Sequence, residues 1–218
     1  MFQNNSCKIN GKHTYYDYGL YVANAGAVSP PEPKTQYIEV PGRDGDIDLT
    51  EALAGRTIYK NRTITLQLGG KKPPLAWDSF MSDFINEVHG KRVKIEFDRD
   101  PDWYYIGRAT VDADFERGSD IGRFTVTVNA EPYKYSKVDC LPELTVDGSA
   151  SQRAVGSEMP VVPEFICSAD MTLAIGKKSY TLKAGSNKLY DIVFYNQVYI
   201  LNFEGNGTVQ VKYKRGRL

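Results

Sequence analysis

The sequence predicts a mainly-β fold, in which an α+β N-terminal domain, built as a β-sandwich with one packed helix, precedes a second β-sandwich. Short segments that alternate between apolar and polar residues recur along the chain, and this period of two is typical of half-buried strands. Glycine, asparagine and aspartate stand between these segments, where turns need them. The stretch from residue 73 to residue 90 has the period of an amphipathic helix instead.

Several segments of the N-terminal part carry the strand pattern. Asn10-Gly11, between "CKI" and "KHTYY", is a strong hairpin signal. "YIEV" at residues 37–40 and "TITLQL" at residues 63–68 alternate as strands, and "RVKIEF" and "RFTVTVNA" do the same further along. Because alternate residues of a strand share one face, each segment places its apolar side chains together on the side that we expect to form the core.

One helix is predicted between Pro74 and Gly90. Its apolar residues recur at helical spacing and are Trp77, Phe80, Met81, Phe84, Ile85 and Val88. Proline suits the first turn of a helix and glycine suits its end. Burying these side chains contributes on the order of 10 kcal/mol, so the helix is expected to dock on a sheet.

A polar, proline-bearing link, "SKVDCLPEL", follows the last strand of the N-terminal part. A second run of strand segments comes after it, among them "MTLAI", "NKLYDIVFY", "QVYILNF" and "TVQVKYK". We therefore divide the chain into a domain of residues 1–137 and a domain of residues 138–218. The second domain has about 80 residues, a size that only just buries its own core, so support from neighbouring molecules is expected.

The composition excludes several classes of protein. The chain has 218 residues, 41% hydrophobic and 25% charged, with 27 basic and 27 acidic side chains. This balance gives no basic footprint for specific nucleic-acid binding. No apolar run is long enough to span a membrane, and the N-terminus lacks the apolar core of a signal peptide. The sequence thus predicts a protein that is made and kept soluble in the cytoplasm.

The sequence contains no recognisable catalytic, metal or cofactor motif. Cys7, Cys140 and Cys167 are odd in number and far apart, so they are expected to be free thiols. His13 and His89 each stand alone in their segments. We expect a solvated hairpin position for His13 and a helix-capping role for His89.

The segment "FDRDPDWYYIGR" places Asp98, Asp100 and Asp102 at alternate positions. A calcium loop counted from Asp98 fails, because Trp103 stands where glycine is needed and Ala109 where a carboxylate is needed. A glycosidase would need two carboxylates on opposite sides of the substrate, whereas side chains two apart on a strand point the same way. A hairpin turn is therefore predicted, and the hydrolase alternative rests on these acids alone.

Two further features could support binding. The connection "PGRDGDIDLTEALAG" is long for a compact domain, so we expect it to be functional or packed on a partner, with its acids solvated or paired across a subunit contact. The second domain is rich in tyrosine, and Tyr195 and Tyr199 are candidates for stacking against a sugar. Ordinary core packing of strand aromatics is the competing interpretation.

Three segments in order resemble the N-terminal domain of siphophage distal tail proteins (Dit). They are "VPGRDG" with the strand "TIYKNRTITLQL", then "FDRDPDWYY", then "AEPYKY", and the amphipathic helix lies between the first and second, where that family has one. The resemblance covers roughly residues 1–135. The second domain agrees through its many strands and the ending "VQVKYKRGRL".

The resemblance implies a structural protein of a phage or prophage tail, without enzymatic activity or cofactor. Six copies would close into a ring through their N-terminal domains, as one ring or as two stacked rings, with Arg43, Asp44 and Gly45 at the contact between neighbours. This hub would connect the tail tube protein to the tail-associated protein of the tail tip or baseplate. The galectin-like second domain would lie outside the ring and anchor receptor-binding proteins.

The resemblance also implies a location and an alternative. The protein would be a virion component assembled in the host cytoplasm, and DNA would pass through the ring without being gripped. The alternative function is a carbohydrate-binding adhesion module of the tail, which would use Tyr195 and Tyr199.

Overall fold

The protein, here a computed structural model, is described over residues 6–23, 27–112 and 120–218. It forms two compact units, of which the first ends at Lys134 and the second runs from Tyr135 to Arg217. Over the described residues, strands alternate with turns and one α-helix is present. The predicted mainly-β fold class with one packed helix is therefore confirmed.

The first unit is an antiparallel sheet covered by a helix. Its elements are β1 Cys7–Ile9, β2 Lys12–His13, β3 Leu20–Val22, β4 Ala27–Val28, β5 Tyr37–Ile38, β6 Ile47–Asp48, β7 Arg62–Lys71, α1 Pro74–Val88, β8 Arg92–Phe97, β9 Trp103–Asp112 and β10 Ile121–Ala130. The main path of the sheet has the order β2-β1-β8-β9-β10-β7-β3, and β4 also pairs with β7. Strands β5 and β6 pair with each other as a separate two-stranded sheet.

The helix forms where the periodicity predicts it. Pro74 occupies the first helical turn, and Gly90, with φ of +72°, follows directly after the C-cap residue His89. The apolar side of α1 packs into the core of the sheet through the buried side chains of Trp77, Met81, Phe84 and Val88. The predicted helix and its docking on the sheet are confirmed.

A glycine of β10 allows the helix to approach closely. Gly122 lies directly beneath the indole of Trp77, and a Cβ at this position would stand 2.6 Å from the ring atom Cζ2. The indole Nε1–H donates to the backbone carbonyl of Asp120, 3.3 Å away. Because any side chain at residue 122 would displace the indole, this glycine sets the distance between helix and sheet.

The second unit is built on one long strand, residues Val198–Lys212. Its elements are β11 Lys134–Ser136, which begins at the unit boundary, β12 Leu144–Val155, β13 Glu164–Cys167, β14 Met171–Ile175, β15 Lys178–Leu182, β16 Gly185–Lys188, β17 Val198–Lys212 and β18 Gly216–Arg217. The sheet order is β15-β14-β17-β13-β16, and β12 pairs with β17. A separate apolar core, which includes Phe165, Phe194 and Phe203, lies within this unit.

Strand β17 changes partner part-way along its length. One edge pairs with β12, while the other pairs with β14 as far as Gly205 and with β13 from Val209. Gly205, the last residue of the first ladder, and Gly207, which lies between the two ladders, have φ of +141° and +144°, which other residues rarely adopt. Ser168 completes the junction, since its hydroxyl accepts the N–H of Thr208 at 2.7 Å. That this unit is galectin-like stays a prediction.

Candidate functional site

The predicted contact residues lie at the end of a two-stranded ribbon, which we call the arm and define as residues 32–60. At its base, the N–H of Lys34 donates to the carbonyl of Ile58, and the N–H of Lys60 donates to that of Glu32, both at 2.7 Å. Strands β5 and β6 continue the ribbon outward, with Tyr37 opposite Asp48. The arm is thus held along its length by antiparallel pairing.

The arm corrects one expectation from the sequence. The sequence predicts a strand at residues 37–40 and, after it, a long polar connection over residues 41–55. The strand ends earlier, at Ile38, and the connection contains a strand of its own, β6, which folds back on β5. A pairing of two residues on each side leaves too little periodicity in the sequence to predict a strand.

The tip of the arm is a turn that requires glycine. The N–H of Arg43 donates to the carbonyl of Val40 at 3.1 Å. Gly42 and Gly45 have φ of +82° and +71°, and a Cβ on either would meet no atom within 4 Å. The backbone conformation, not space, therefore requires these glycines. Arg43 and Asp44 stand exposed between them.

The arm exposes apolar surface on both of its faces. Tyr37 and Ile38 are 55% and 45% exposed, and neighbouring residues of a strand point to opposite faces. Leu53, in the turn after β6, is 93% exposed. A two-stranded ribbon is at best marginally stable by itself in water, so exposed apolar residues on an arm of this kind indicate a surface for another molecule.

A cavity of about 670 Å³ lies along the arm between its two sides. Polar and acidic side chains line it, including Asp48, Thr50 and Glu51. Hydrogen bonds from the side chain and the backbone of Thr50 to the carboxylate lower the pKa of Asp48. None of the described residues that line the cavity is a histidine that could activate the threonine hydroxyls, and the exposed arm around the cavity suits a protein contact.

The acids of "FDRDPDWYYIGR" form the predicted turn between β8 and β9. The N–H of Asp100 donates to the carbonyl of Phe97 at 3.0 Å, and that of Trp103 donates to the carbonyl of Asp100 at 3.2 Å. The Asp100 carboxylate also accepts a hydrogen bond from the ammonium of Lys134 at 2.6 Å. Turn geometry and ion pairing thus account for these acids.

The expectation for His13 is wrong. Its side chain is buried, not solvated, and Nε2 lies 2.8 Å from Oδ2 of Asp98. Nδ1 accepts the backbone N–H groups of Tyr15 and Tyr16 at 3.1 and 3.2 Å, so the ring hydrogen lies on Nε2 and is donated to Asp98. His13 therefore ties the first hairpin to the β8–β9 turn.

His89 stands at the end of the helix, as expected, but its side chain does not cap the helix. The cap itself is made by the backbone, since the N–H of His89 donates to the carbonyl of Ile85. The ring Nδ1 accepts the N–H of Val111 at 3.0 Å. The imidazole therefore links the helix end to β9.

The three cysteines are free thiols, as expected, and they differ in accessibility. Cys7 and Cys167 are buried, whereas Cys140 is partly exposed. Burial, with a smaller effect from the Asp98 carboxylate, raises the pKa of Cys7 to about 12. Burial also raises the pKa of Cys167. Since the thiolate is the reactive form, Cys7 and Cys167 are unreactive in the folded protein.

Alkylation with iodoacetamide under native conditions is expected to modify Cys140 first, with the two buried thiols slower by roughly 100-fold or more. Mass spectrometry of the digested protein measures the order of labelling. Equal labelling of all three thiols before unfolding would contradict the burial of Cys7 and Cys167.

The raised pKa of Cys7 also makes stability depend on pH. The contribution of the buried, neutral thiol to stability is complete below pH 9 and is lost as pH rises towards about 12.

Tyr195 and Tyr199 lie together in the second unit but have different roles. The hydroxyl of Tyr199 accepts the N–H of Tyr195 at 2.9 Å and donates to the carbonyl of Val193 at 2.8 Å. Its ring packs on Phe194 with centroids 4.6 Å apart. Tyr199 thus holds the loop before β17, while Tyr195 is 36% exposed. Stacking of either ring on a sugar stays a prediction.

The described residues contain no group of three or more His, Cys, Asp or Glu side chains that could hold a metal ion. Within the same three ranges, no helix is long and apolar enough to cross a membrane.

Comparison with solved structures identifies the fold. The chain is similar to the crystal structure of the Dit protein (gp 19.1) of phage SPP1, with a TM-score of 0.64 over 98% of this chain and 99% of that chain. The chain has the fold of a siphophage distal tail protein. Only 15% of the aligned residues are identical. The resemblance seen in the three N-terminal segments is thus confirmed at the level of the Dit fold.

Other comparisons find no counterpart. No protein-family model and no curated protein matches the sequence. The SPP1 protein is described as the paradigm of a hub of the adsorption apparatus in phages that infect Gram-positive bacteria. That description belongs to the SPP1 protein.

Proposed function

We propose that this chain is the distal hub of a phage or prophage tail, a structural protein that joins the tail tube to the tail tip or baseplate. One observation carries the proposal: the Dit fold extends over 98% of the chain and 99% of a known hub protein. The match therefore includes both units of the chain. The second unit would anchor receptor-binding components.

In the proposed assembly, six copies form a closed ring through their first units. A ring needs a heterologous contact, in which one surface of a subunit meets a different surface of its neighbour. The arm supplies such a surface, because it is exposed, carries apolar side chains on both faces and ends in charged residues. We therefore place Arg43, Asp44 and Gly45 in the contact between neighbours.

The charge of the chain suits a conduit for DNA. Each basic side chain that neutralises a phosphate strengthens binding, so a strongly basic channel would retain the DNA that has to pass through it. The chain has 27 basic and 27 acidic residues. A filter-binding assay at physiological salt is expected to find no tight binding of duplex DNA, and tight binding would oppose the conduit role.

Reversing the charge at the arm tip tests the contact. The variant Asp44→Lys is expected to raise the protein concentration needed for half-assembly by about 30-fold or more, as is typical of a central interface residue. The truncation variant Arg43→Ala is expected to act in the same direction. Native mass spectrometry over a dilution series measures the fraction of ring.

The control is Asp147→Lys, an equal change of charge on an exposed strand residue of the second unit. It is expected to assemble like the natural chain, and circular dichroism should show unchanged strand content for all three variants. Normal assembly of Asp44→Lys would move the contact away from the arm tip. A natural chain that stays monomeric would refute the ring itself.

A further inference from the structure

We propose that the second unit carries a binding pocket for a carboxylate presented beside an apolar side chain by a partner polypeptide. This deepens the anchoring role given to this unit under the proposed function, on which it rests for the nature of the partner. A cavity of about 190 Å³ lies where the segment after β11 runs beside the end of β17. We call it the arginine pocket, and the residues that matter are Arg153, Arg215, Val138, Val155, Tyr213 and Cys140.

The charge of the pocket is uncompensated. Arg153 and Arg215 line it, and among the described residues no acidic side chain does. Neither guanidinium makes an ion pair or a side-chain hydrogen bond within the described part of the chain. Each guanidinium offers a planar fork of N–H donors that matches the two oxygens of a carboxylate. Two such forks at one cavity favour a ligand with at least one carboxylate.

The walls of the pocket are already in place. The hydroxyl of Tyr213 accepts the N–H of Val155 and donates to its carbonyl, both at 3.2 Å. The N–H of Tyr213 donates to the carbonyl of Asp139 at 2.7 Å, and the N–H of Leu141 donates to that of Val211 at 2.8 Å. Because these bonds fix the backbone on both sides, a ligand would pay little for ordering the site.

Apolar side chains surround the charges. Val138 and Val155 line the pocket and are 59% and 42% exposed. The apolar surface continues along the neighbouring strand, where Val198 stands opposite Val155 and Ile200 stands opposite Arg153. These two residues are 47% and 51% exposed. Arginine beside exposed aliphatic side chains is typical of a protein interface and favours a peptide over a phosphate backbone.

The occupant is therefore expected to be an exposed segment in which aspartate or glutamate neighbours leucine, isoleucine, valine or phenylalanine. A library of short random peptides, selected on the purified full-length chain, provides the probe. Peptides of this acidic and apolar pattern are expected to be enriched. Their affinity, measured by fluorescence anisotropy, should fall by about 10-fold or more in the double variant Arg153→Gln, Arg215→Gln.

Two further double variants test whether a loss of peptide affinity comes from the total charge of the chain or from the guanidinium groups of the pocket. Lys177→Gln with Lys178→Gln also removes two positive charges, one from the turn between β14 and β15 and one from the first residue of β15, and is expected to leave affinity unchanged. Arg153→Lys with Arg215→Lys keeps the charge but removes the planar forks, so an intermediate loss is expected. Bound peptide should also slow the alkylation of Cys140, which lines the pocket.

The inference is overturned if no acidic and apolar pattern is enriched, or if the selected peptides bind the Gln double variant as well as the natural chain. Displacement of the peptides by single-stranded DNA at physiological salt would also overturn it, because the site would then recognise phosphate. Native mass spectrometry is run in parallel. If the Gln double variant still forms rings, its loss of peptide binding comes from the pocket and not from a failure to assemble.

Discussion

Replacing Phe84 by alanine is expected to lower the free energy of unfolding of the first unit by about 3–5 kcal/mol. Phe84 is 1% exposed and stands at the centre of the layer between α1 and the sheet. Its ring meets those of Tyr18 and Phe124 edge-on, each with centroids 5.2 Å apart. Truncation therefore removes buried apolar area and leaves a cavity that a packed sheet closes only in part.

The measurement is urea unfolding followed by tryptophan fluorescence. Both tryptophans of the chain, Trp77 and Trp103, belong to the first unit, so their emission reports that unit alone. The matched control is Leu75→Ala on the same helix, where the side chain is 93% exposed. A change of no more than about 0.5 kcal/mol is expected there. Equal unfolding midpoints for Phe84→Ala and the natural chain would refute the docking of the helix.

Replacing Gly107 by alanine is expected to destabilise the first unit by about 3 kcal/mol or more, at the upper end of the cost of overpacking. Gly107 lies in β9 opposite Ala130 of β10. An added Cβ would stand 2.5 Å from the Cα of Ala130 and would also meet the backbone oxygen of Asn129. Because both obstacles are backbone atoms of a paired strand, neither can move without breaking the ladder.

The control for this variant is Gly69→Ala in β7, where a Cβ would meet its nearest atoms at 3.4 Å, which is ordinary contact. Stability there is expected to stay the same or to rise by up to about 1 kcal/mol, because alanine restricts the unfolded chain. The same fluorescence titration compares the two. If Gly107→Ala is as stable as Gly69→Ala, the register of β9 against β10 is wrong.

The elements that the sequence predicted are those whose signals are local. The helix carries its periodicity within one segment, and Pro74 and Gly90 mark its ends. The β8–β9 hairpin shows its alternation on both sides of a turn rich in aspartate. The exposed position of Arg43 and Asp44 also follows from local sequence, since the neighbouring glycines predict a turn.

The interactions that the sequence did not predict join residues that are distant in the chain. His13 reaches Asp98, and Lys134 reaches Asp100, through strands that the sheet brings together. The sequence around His13 or Lys134 does not show which carboxylate the side chain contacts, because a paired histidine or lysine has the same sequence neighbours as a solvated one. The arginine pocket depends in the same way on β12 and β17 lying side by side.

We expect the two units to divide the work of the proposed hub. The first unit has the larger sheet, a docked helix and an exposed arm, which suit a rigid ring subunit. The second unit has its own core and an uncompensated pocket, which suit the attachment of a peripheral protein. Variants of the arm and of the pocket should therefore act on assembly and on partner binding separately, because they change different surfaces.

Electron microscopy of the purified full-length protein tests the central claim most directly. Ring-shaped particles with six-fold symmetry and an open central channel are expected, each ring having six times the 24.5 kDa mass of one chain. Single, non-associating particles at every protein concentration would contradict it.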